Sequence, residues 1–375
     1  MRQFNQMYVN GAFVTPHGKA TVDLVNPTNN EVIGKVTLAD EIDARQAIAA
    51  AKKALGSFSQ TTKEVRMDYL QRLHDSVSKR VGDLVQATVL EYGAPQDRAK
   101  GSNALAANIF LHFKETLKKT DLTEVVGTSQ VLLEPVGVVG IFTPWNSSAG
   151  SIAIKVAPAI AAGCTVVIKP SEMSAMQTQV LMESFHEAGL PPGVINFVNG
   201  LGEVVGTELT NSPDVAKIAF TGSTQIGKLV AKNALDTMKR LTLELGGKSA
   251  NIILDDADFA KAIPMAVNAC YLNNGQACIA GSRLFVPENR LDEVKQLVKA
   301  AVAKIKVGDP NDSDVTMGPL VSQKQYQRVQ SYIRLGIDEG AEVVIGGEGR
   351  PQGLERGNFV KPTVFANVKP EMKIA

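Results

Sequence analysis

The sequence predicts an α/β protein in which a parallel sheet covered by helices on both faces is followed by a second α/β unit. Three observations carry this expectation. From Val138 to Leu245 short apolar runs alternate with amphipathic stretches, the rhythm of strands joined by crossover helices. A second rhythm of the same kind begins near Gly246. At 375 residues the chain also exceeds one ordinary core, so two packed domains are expected.

The elements follow in order. Tyr8 to Val14 alternates like a strand, and Val32 to Val36 reads as another short one. Apolar residues recur at three- and four-residue spacing from Ile42 to Leu55 and from Lys63 to Glu91, as on amphipathic helices. A further helix, Ser102 to Thr116, follows the Gly93-Ala94-Pro95 break. Between Val125 and Gly140 the pattern turns to β around Pro135, which suits either an edge strand or an arm reaching toward another subunit.

Within the main rhythm, strands are expected at Val138–Phe142, Thr165–Ile168, Val194–Val198, Ile218–Phe220 and Leu241–Leu243. Helices are expected near Ser151–Ala162, Ala175–Ala188, Glu203–Asn211 and Gln225–Leu235. The second rhythm has strands at Asn251–Leu254, Arg283–Val286 and Glu342–Ile345. Its helices run from Phe259 toward Leu272, Leu291–Ile305 and Gln323–Glu339, and Gly346 to Gly357 reads as a surface turn.

Composition narrows the function classes. A 44% hydrophobic and 21% charged chain is that of a globular protein, and a net charge of +1 supplies no field for nucleic acid or an acidic membrane. The start, Met1 to Gln6, has no apolar core of signal-peptide length, and Ile152–Ile168 is too broken by Lys155, Pro158 and Gly163 to span a bilayer. A cytoplasmic protein is expected. Three cysteines, an odd number, fit a reducing compartment. The four histidines are scattered without metal-ligand spacing, so no metal site is expected.

Sheets of this kind bind ligands beyond the carboxyl ends of their strands, where the informative residues fall. Gly200-Leu201-Gly202 with Gly206 only approximates a dinucleotide glycine fingerprint, and also reads as a loop opening a helix. Phe220-Thr221-Gly222-Ser223-Thr224 follows a strand and opens a helix. Its free N–H groups suit a pyrophosphate, and equally it is a turn with a Ser/Thr cap. Lys169-Pro170-Ser171-Glu172 offers a cation and a carboxylate for ribose hydroxyls, or else a solvated pair. Glu244, between a leucine-rich strand and Gly246-Gly247, is expected to be partly buried, which would raise its pKa toward use as a general base. Cys278 lies in a polar, glycine-containing turn and is the best nucleophile among the thiols. Cys164 and Cys270 read as core.

Taken in order, Thr143-Pro144-Trp145-Asn146, Lys169-Pro170-Ser171-Glu172, Phe220-Thr221-Gly222-Ser223, Glu244-Leu245-Gly246-Gly247-Lys248 and Gly275-Gln276-Ala277-Cys278 resemble the NAD(P)-dependent aldehyde dehydrogenases. The resemblance extends from Tyr8-Val9-Asn10-Gly11 to the end of the chain. It implies a Rossmann-like cofactor domain from residues 1–117 and 138–245, an oligomerisation arm at 118–137, and a catalytic domain at 246–375.

It also implies roles. Cys278 would attack the aldehyde, Asn146 and the Cys278 N–H would hold the oxyanion, and Glu244 would activate the water that hydrolyses the thioester. Lys169 is carried into the catalytic set and, with Phe142, Trp145, Ser171, Glu172, Gly202, Phe220, Gly222, Ser223, Ile226 and Leu245, into the cofactor set. A carboxylate at Glu172 suits a free ribose 2′-hydroxyl, so NAD is expected, with NADP as the second choice. The implied partners are a small aldehyde and further copies of the chain, as homodimer or homotetramer.

Two alternatives stand beside this, a CoA-acylating relative and an inactive descendant. The first is disfavoured by Glu244. The second is raised by the chain's end, since family members continue past Lys369–Ala375 with a Glu-x-Phe-Gly-Pro segment, so the chain is expected to be C-terminally incomplete.

Overall fold

A computed structural model describes residues 1–375, and the chain divides into two compact units. The first comprises Met1–Leu24, Val32–Ala87 and Lys100–Leu245, and the second comprises Val25–Glu31, Thr88–Ala99 and Gly246–Ala375.

A seven-stranded sheet organises the first unit. Its order is Arg240–Leu245, Val215–Gly222, Val138–Phe142, Thr165–Lys169, Ile195–Phe197, Met7–Val9 and Ala12–Val14. The first five strands are parallel, and the last two form an antiparallel hairpin along one edge. Asn10 and Gly11, with φ of 53° and 80°, make the hairpin turn that the alternation from Tyr8 to Val14 had hidden within one strand.

The inner parallel strands Val138–Phe142, Thr165–Lys169 and Ile195–Phe197 are buried along their whole length because both faces are covered. Along Val138–Phe142, Val139 and Ile141 enter one hydrophobic cluster, with residues of the helices Lys63–Lys79, Ser148–Ala161 and Ala175–Ala188. Val138 and Phe142 enter the other, with residues of Glu41–Phe58 and Thr224–Ala234. The period-two alternation of a strand thus divides one continuous apolar run between two cores. Ile141 is wholly buried, which contributes about 1.5–3 kcal/mol.

Several boundaries differ from those expected. The Lys63–Glu91 periodicity is two helices, Lys63–Lys79 and Val81–Tyr92. Arg80 leaves helical geometry at φ −107°, ψ 10°, and its guanidinium pairs with Asp83 and Glu183. The next helix starts directly after Pro95 and runs Gln96–Lys119, longer at both ends than expected. The β pattern around Pro135 is not a single strand. Thr123–Val126 and Ser129–Leu132 form a separate antiparallel hairpin, exposed along its whole length, whose turn holds Gly127 at φ 61°. The core strand Val138–Phe142 starts only after Pro135 and Gly137.

In the second unit Ala250–Ile252 pairs in parallel with Arg283–Phe285, and Glu342–Ile345 pairs antiparallel with Val364–Ala366. The helices Phe259–Tyr271 and Leu291–Val302 supply Phe259, Ile263, Val267, Val294, Val298 and Val302 to its core.

Candidate active site

In the first unit the parallel ladder brings most of the singled-out residues to one edge. Phe142 pairs in register with Lys169 and with Phe220, Thr221 pairs with Glu244, and Gly222 with Leu245. These positions close four adjacent strands, so the loops that follow share the carboxyl side of the sheet.

After Phe142 the chain runs through half-buried Trp145 and Asn146 into the helix Ser148–Ala161. The side chains of Phe142 and Phe220 point into the core, edge to face at 6.2 Å. Any ligand contact from these two residues therefore falls to their backbone.

Lys169 is buried, and its ammonium donates to the carbonyls of Pro170 at 2.7 Å and Gly200 at 3.2 Å. Burial pushes its pKa down, opposed by the carboxylates of Glu172 and Glu203. An ammonium has three donors, so this geometry leaves one for a ligand hydroxyl. Ser171 caps the short turn Glu172–Ser174 by accepting from the Met173 N–H, and Glu172 stands half-buried beside it.

Gly202 opens a helical turn, and a Cβ added there would meet nothing within 4 Å. Ser223 caps Thr224–Ala234, its hydroxyl accepting from the Ile226 N–H at 3.3 Å. A Cβ at Gly227 would stand 2.6 Å from Leu245, so this glycine lets the helix lie close against the strand end. Ile226, 46% exposed, offers an apolar surface in the same first turn. Open helix starts, an apolar side chain and a lysine–glutamate pair on one edge fit a dinucleotide, with phosphates at N–H groups and a ribose at the pair.

Glu244 departs from expectation: it is exposed. Its strand forms the outer edge of the sheet, and the glycines that follow carry no side chains to cover it. Sequence reasoning also passed over Lys155, visible only as a charge interrupting an apolar helix. Its ammonium donates at 2.6 Å to Oγ1 of Thr221, the register partner of Glu244.

In the second unit Cys278 is exposed on the loop between Phe259–Tyr271 and Arg283–Phe285. Cys164 is buried and its thiol pKa is pushed up by that burial. Cys270, expected in the core, is only half-buried, because it lines an apolar cavity of about 470 Å³ with Phe285, Val294 and Ile374. Desolvation raises its pKa as well.

A parallel sheet covered on both faces, with helix starts and a ribose-type pair on its carboxyl edge, defines an α/β protein of the dinucleotide-binding class. The model of the aldehyde dehydrogenase family matches residues 13–375. A 3-succinoylsemialdehyde-pyridine dehydrogenase of a Pseudomonas species is 43% identical, over 100% of this chain and 79% of its own length. Aldehyde dehydrogenase C of Pseudomonas syringae, solved as a cysteine-to-alanine mutant with NAD+ and octanal, superposes with a TM-score of 0.97 at 42% identity, covering 99% of this chain and 76% of that one. Betaine aldehyde dehydrogenase of Staphylococcus aureus, a point mutant solved with NAD+ and a mercaptoethanol-modified cysteine, superposes with a TM-score of 0.95 at 36% identity, covering 99% and 77%. The chain belongs to the aldehyde dehydrogenase family, NAD(P)-dependent oxidoreductases, and neither the CoA-acylating route nor an inactive descendant is favoured by these similarities.

Proposed function

We propose that this protein oxidises an aldehyde to a carboxylic acid with NAD, using Cys278 as nucleophile, Asn146 as oxyanion donor and Glu244 as the base for hydrolysis. The observation that carries this reading is the state of the three thiols: Cys278 is exposed, whereas Cys164 is buried and Cys270 half-buried. Only a thiolate that a substrate can reach serves as a nucleophile.

The Cys278 sulfur adds to the carbonyl carbon, and the carbonyl π pair moves to oxygen as an oxyanion. The Asn146 amide and the Cys278 N–H donate to that oxygen, each worth about 3 kcal/mol in sites of this type. Bound NAD supplies the hydride acceptor as the oxyanion collapses to a thioester. Glu244 then takes a proton from water, whose oxygen adds to the thioester carbon and expels the Cys278 thiolate. Glu244 is exposed, so water reaches it directly, and burial does not tune this base. Lys169 and Glu172 hold the adenosine ribose, and the Glu172 charge disfavours a 2′-phosphate.

Ala277 and Ile279 flank the nucleophile with small and apolar side chains, which favours uncharged, apolar aldehydes such as octanal over charged semialdehydes. The exposed hairpin Thr123–Leu132 is the arm through which the chain forms a homodimer or homotetramer, and we place the protein in the cytoplasm. No helix is long and apolar enough to cross a membrane.

The test is NADH formation across an aldehyde panel. Cys278→Ala should abolish it while leaving NAD binding intact, and oxidation retained in that variant would end the assignment.

A further inference from the structure

The loop that carries Cys278 contains an unusual run of left-handed backbone. Asn273, Asn274 and Gly275 have φ of 58°, 58° and 69°, three consecutive left-handed residues. L-residues visit that region singly, not in series. Something must hold the turn, and the hydrogen bonds around it show what does.

Asn274 is 1% exposed. Its Nδ2 donates to the Gly93 carbonyl at 2.9 Å and the Pro319 carbonyl at 3.2 Å, and its Oδ1 accepts from the Gly318 N–H at 2.8 Å. The fit is close enough that a Cβ on Gly318 would stand 2.0 Å from the Gly93 oxygen. Tyr92, also buried, donates its hydroxyl proton to the Asn273 carbonyl at 2.8 Å and accepts from Gln276 Nε2 at 3.3 Å. Gln276 is tied at its other end, where Oε1 accepts from the Val321 N–H at 3.1 Å. Burial raises the Tyr92 pKa far above the usual phenol value, so the hydroxyl keeps the proton it donates. All of these residues belong to the second unit.

The lock is transmitted to Cys278 over a short path. The Gln276 N–H returns to the Asn273 carbonyl at 3.0 Å, and the Ala280 N–H to the Ala277 carbonyl at 3.2 Å, closing a turn around the thiol. A rotation at Asn273–Gly275 would therefore redirect the Cys278 side chain rather than be absorbed along the way.

We propose that Tyr92 and Asn274 are positioning residues for Cys278, fixing the left-handed turn that sets the direction of its sulfur. Neither touches substrate or cofactor in this assignment. It rests on the reading of Cys278 as nucleophile. Covalent addition is sensitive to such placement: an error of about 1 Å can cost roughly 100-fold in rate.

The experiment compares Tyr92→Phe and Asn274→Ala with the unaltered full chain and with Cys278→Ala. Three quantities are read: the pre-steady-state NADH burst at saturating NAD, NAD affinity, and alkylation of the Cys278 peptide by iodoacetamide, followed by mass. Both variants should slow the burst by about 10- to 100-fold. NAD affinity and alkylation should stay unchanged, because the thiol remains accessible and only its aim is lost. Tyr92→Phe keeps the buried ring, so it carries the test if Asn274→Ala fails to fold. A wild-type burst in Tyr92→Phe, beside none in Cys278→Ala, overturns the proposal. So does a loss of burst accompanied by an equal loss of NAD affinity, which marks general damage. A burst that survives in Cys278→Ala overturns the nucleophile assignment itself, and this proposal with it.

Discussion

Glu244 and Cys278 are both exposed, while Lys169 and the other two thiols are buried or half-buried. A base at Glu244 acts after hydride transfer, so Glu244→Gln should preserve a stoichiometric NADH burst. Turnover should then fall by about 10²–10⁴-fold, the usual contribution of a general base. Stopped-flow absorbance at the NADH band reads both phases. Normal steady-state turnover in this variant would remove Glu244 from the mechanism. At this scale the sequence was informative about Cys278, because a polar glycine-containing turn announces exposure. It could not reveal the partners of Asn274, since Gly93, Gly318 and Pro319 lie far away along the chain. Nor could it reveal the exposure of Glu244, which depends on its strand being the sheet's edge.

Among the elements, those with a sustained apolar pattern were the legible ones. Val138–Phe142, Ala175–Ala188 and Glu342–Ile345 lie where the apolar pattern puts them. The strands Arg2–Phe4, Thr21–Val25 and Val364–Ala366 are only three to five residues long, too short for a period to stand out. At the break Arg80 pairs with Asp83 nearby and with Glu183 on another helix, and the second contact cannot be read from local sequence. The helix Glu41–Phe58 begins with a capping box between Asp40 and Asp43, and Asp40 also bonds His17 Nδ1 at 2.6 Å. That bond, with the Asp43 and Ile42 N–H groups, holds the Asp40 carboxyl below its usual value of 3.8 despite some desolvation. The folded pKa is the lower one, so this stabilisation is present above pH 3.8 and is lost as the pH falls through the folded value. Asp40→Asn keeps an N-cap and removes the charge. Its Tm should lie below that of the native protein near neutrality, and the gap should close in acid; a constant gap would contradict the linkage. The hairpin Thr123–Leu132 invites a separate test. It exposes Val125 at 73% and Leu132 at 59%, apolar area that a second copy would cover. Val125→Glu with Leu132→Glu should shift light-scattering mass to the monomer without changing the far-UV spectrum. An unchanged oligomeric mass would count against the arm.

For the molecule as a whole, the edge proposed for the cofactor belongs to the first unit and the proposed nucleophile to the second, so ligand binding and thiol chemistry can be assayed apart. A ligand that binds only the folded protein adds RT ln(1 + [L]/Kd) to its stability, about 2.7 kcal/mol at 100 times Kd. For a folding unit of 150–250 residues each kcal/mol raises Tm by about 2–4 °C, so saturating NAD should add roughly 5–10 °C. The same increment is expected in Cys278→Ala, because none of the residues assigned to the dinucleotide lies on its loop. NADP should give a smaller shift, since the Glu172 carboxylate opposes a 2′-phosphate by about 1 kcal/mol per charge pair at 4 Å in water. Differential scanning fluorimetry with each dinucleotide, on both proteins, reads all of this at once. A Tm indifferent to NAD would mean that the carboxyl edge of Phe142, Lys169, Gly222 and Leu245 is not where the cofactor binds.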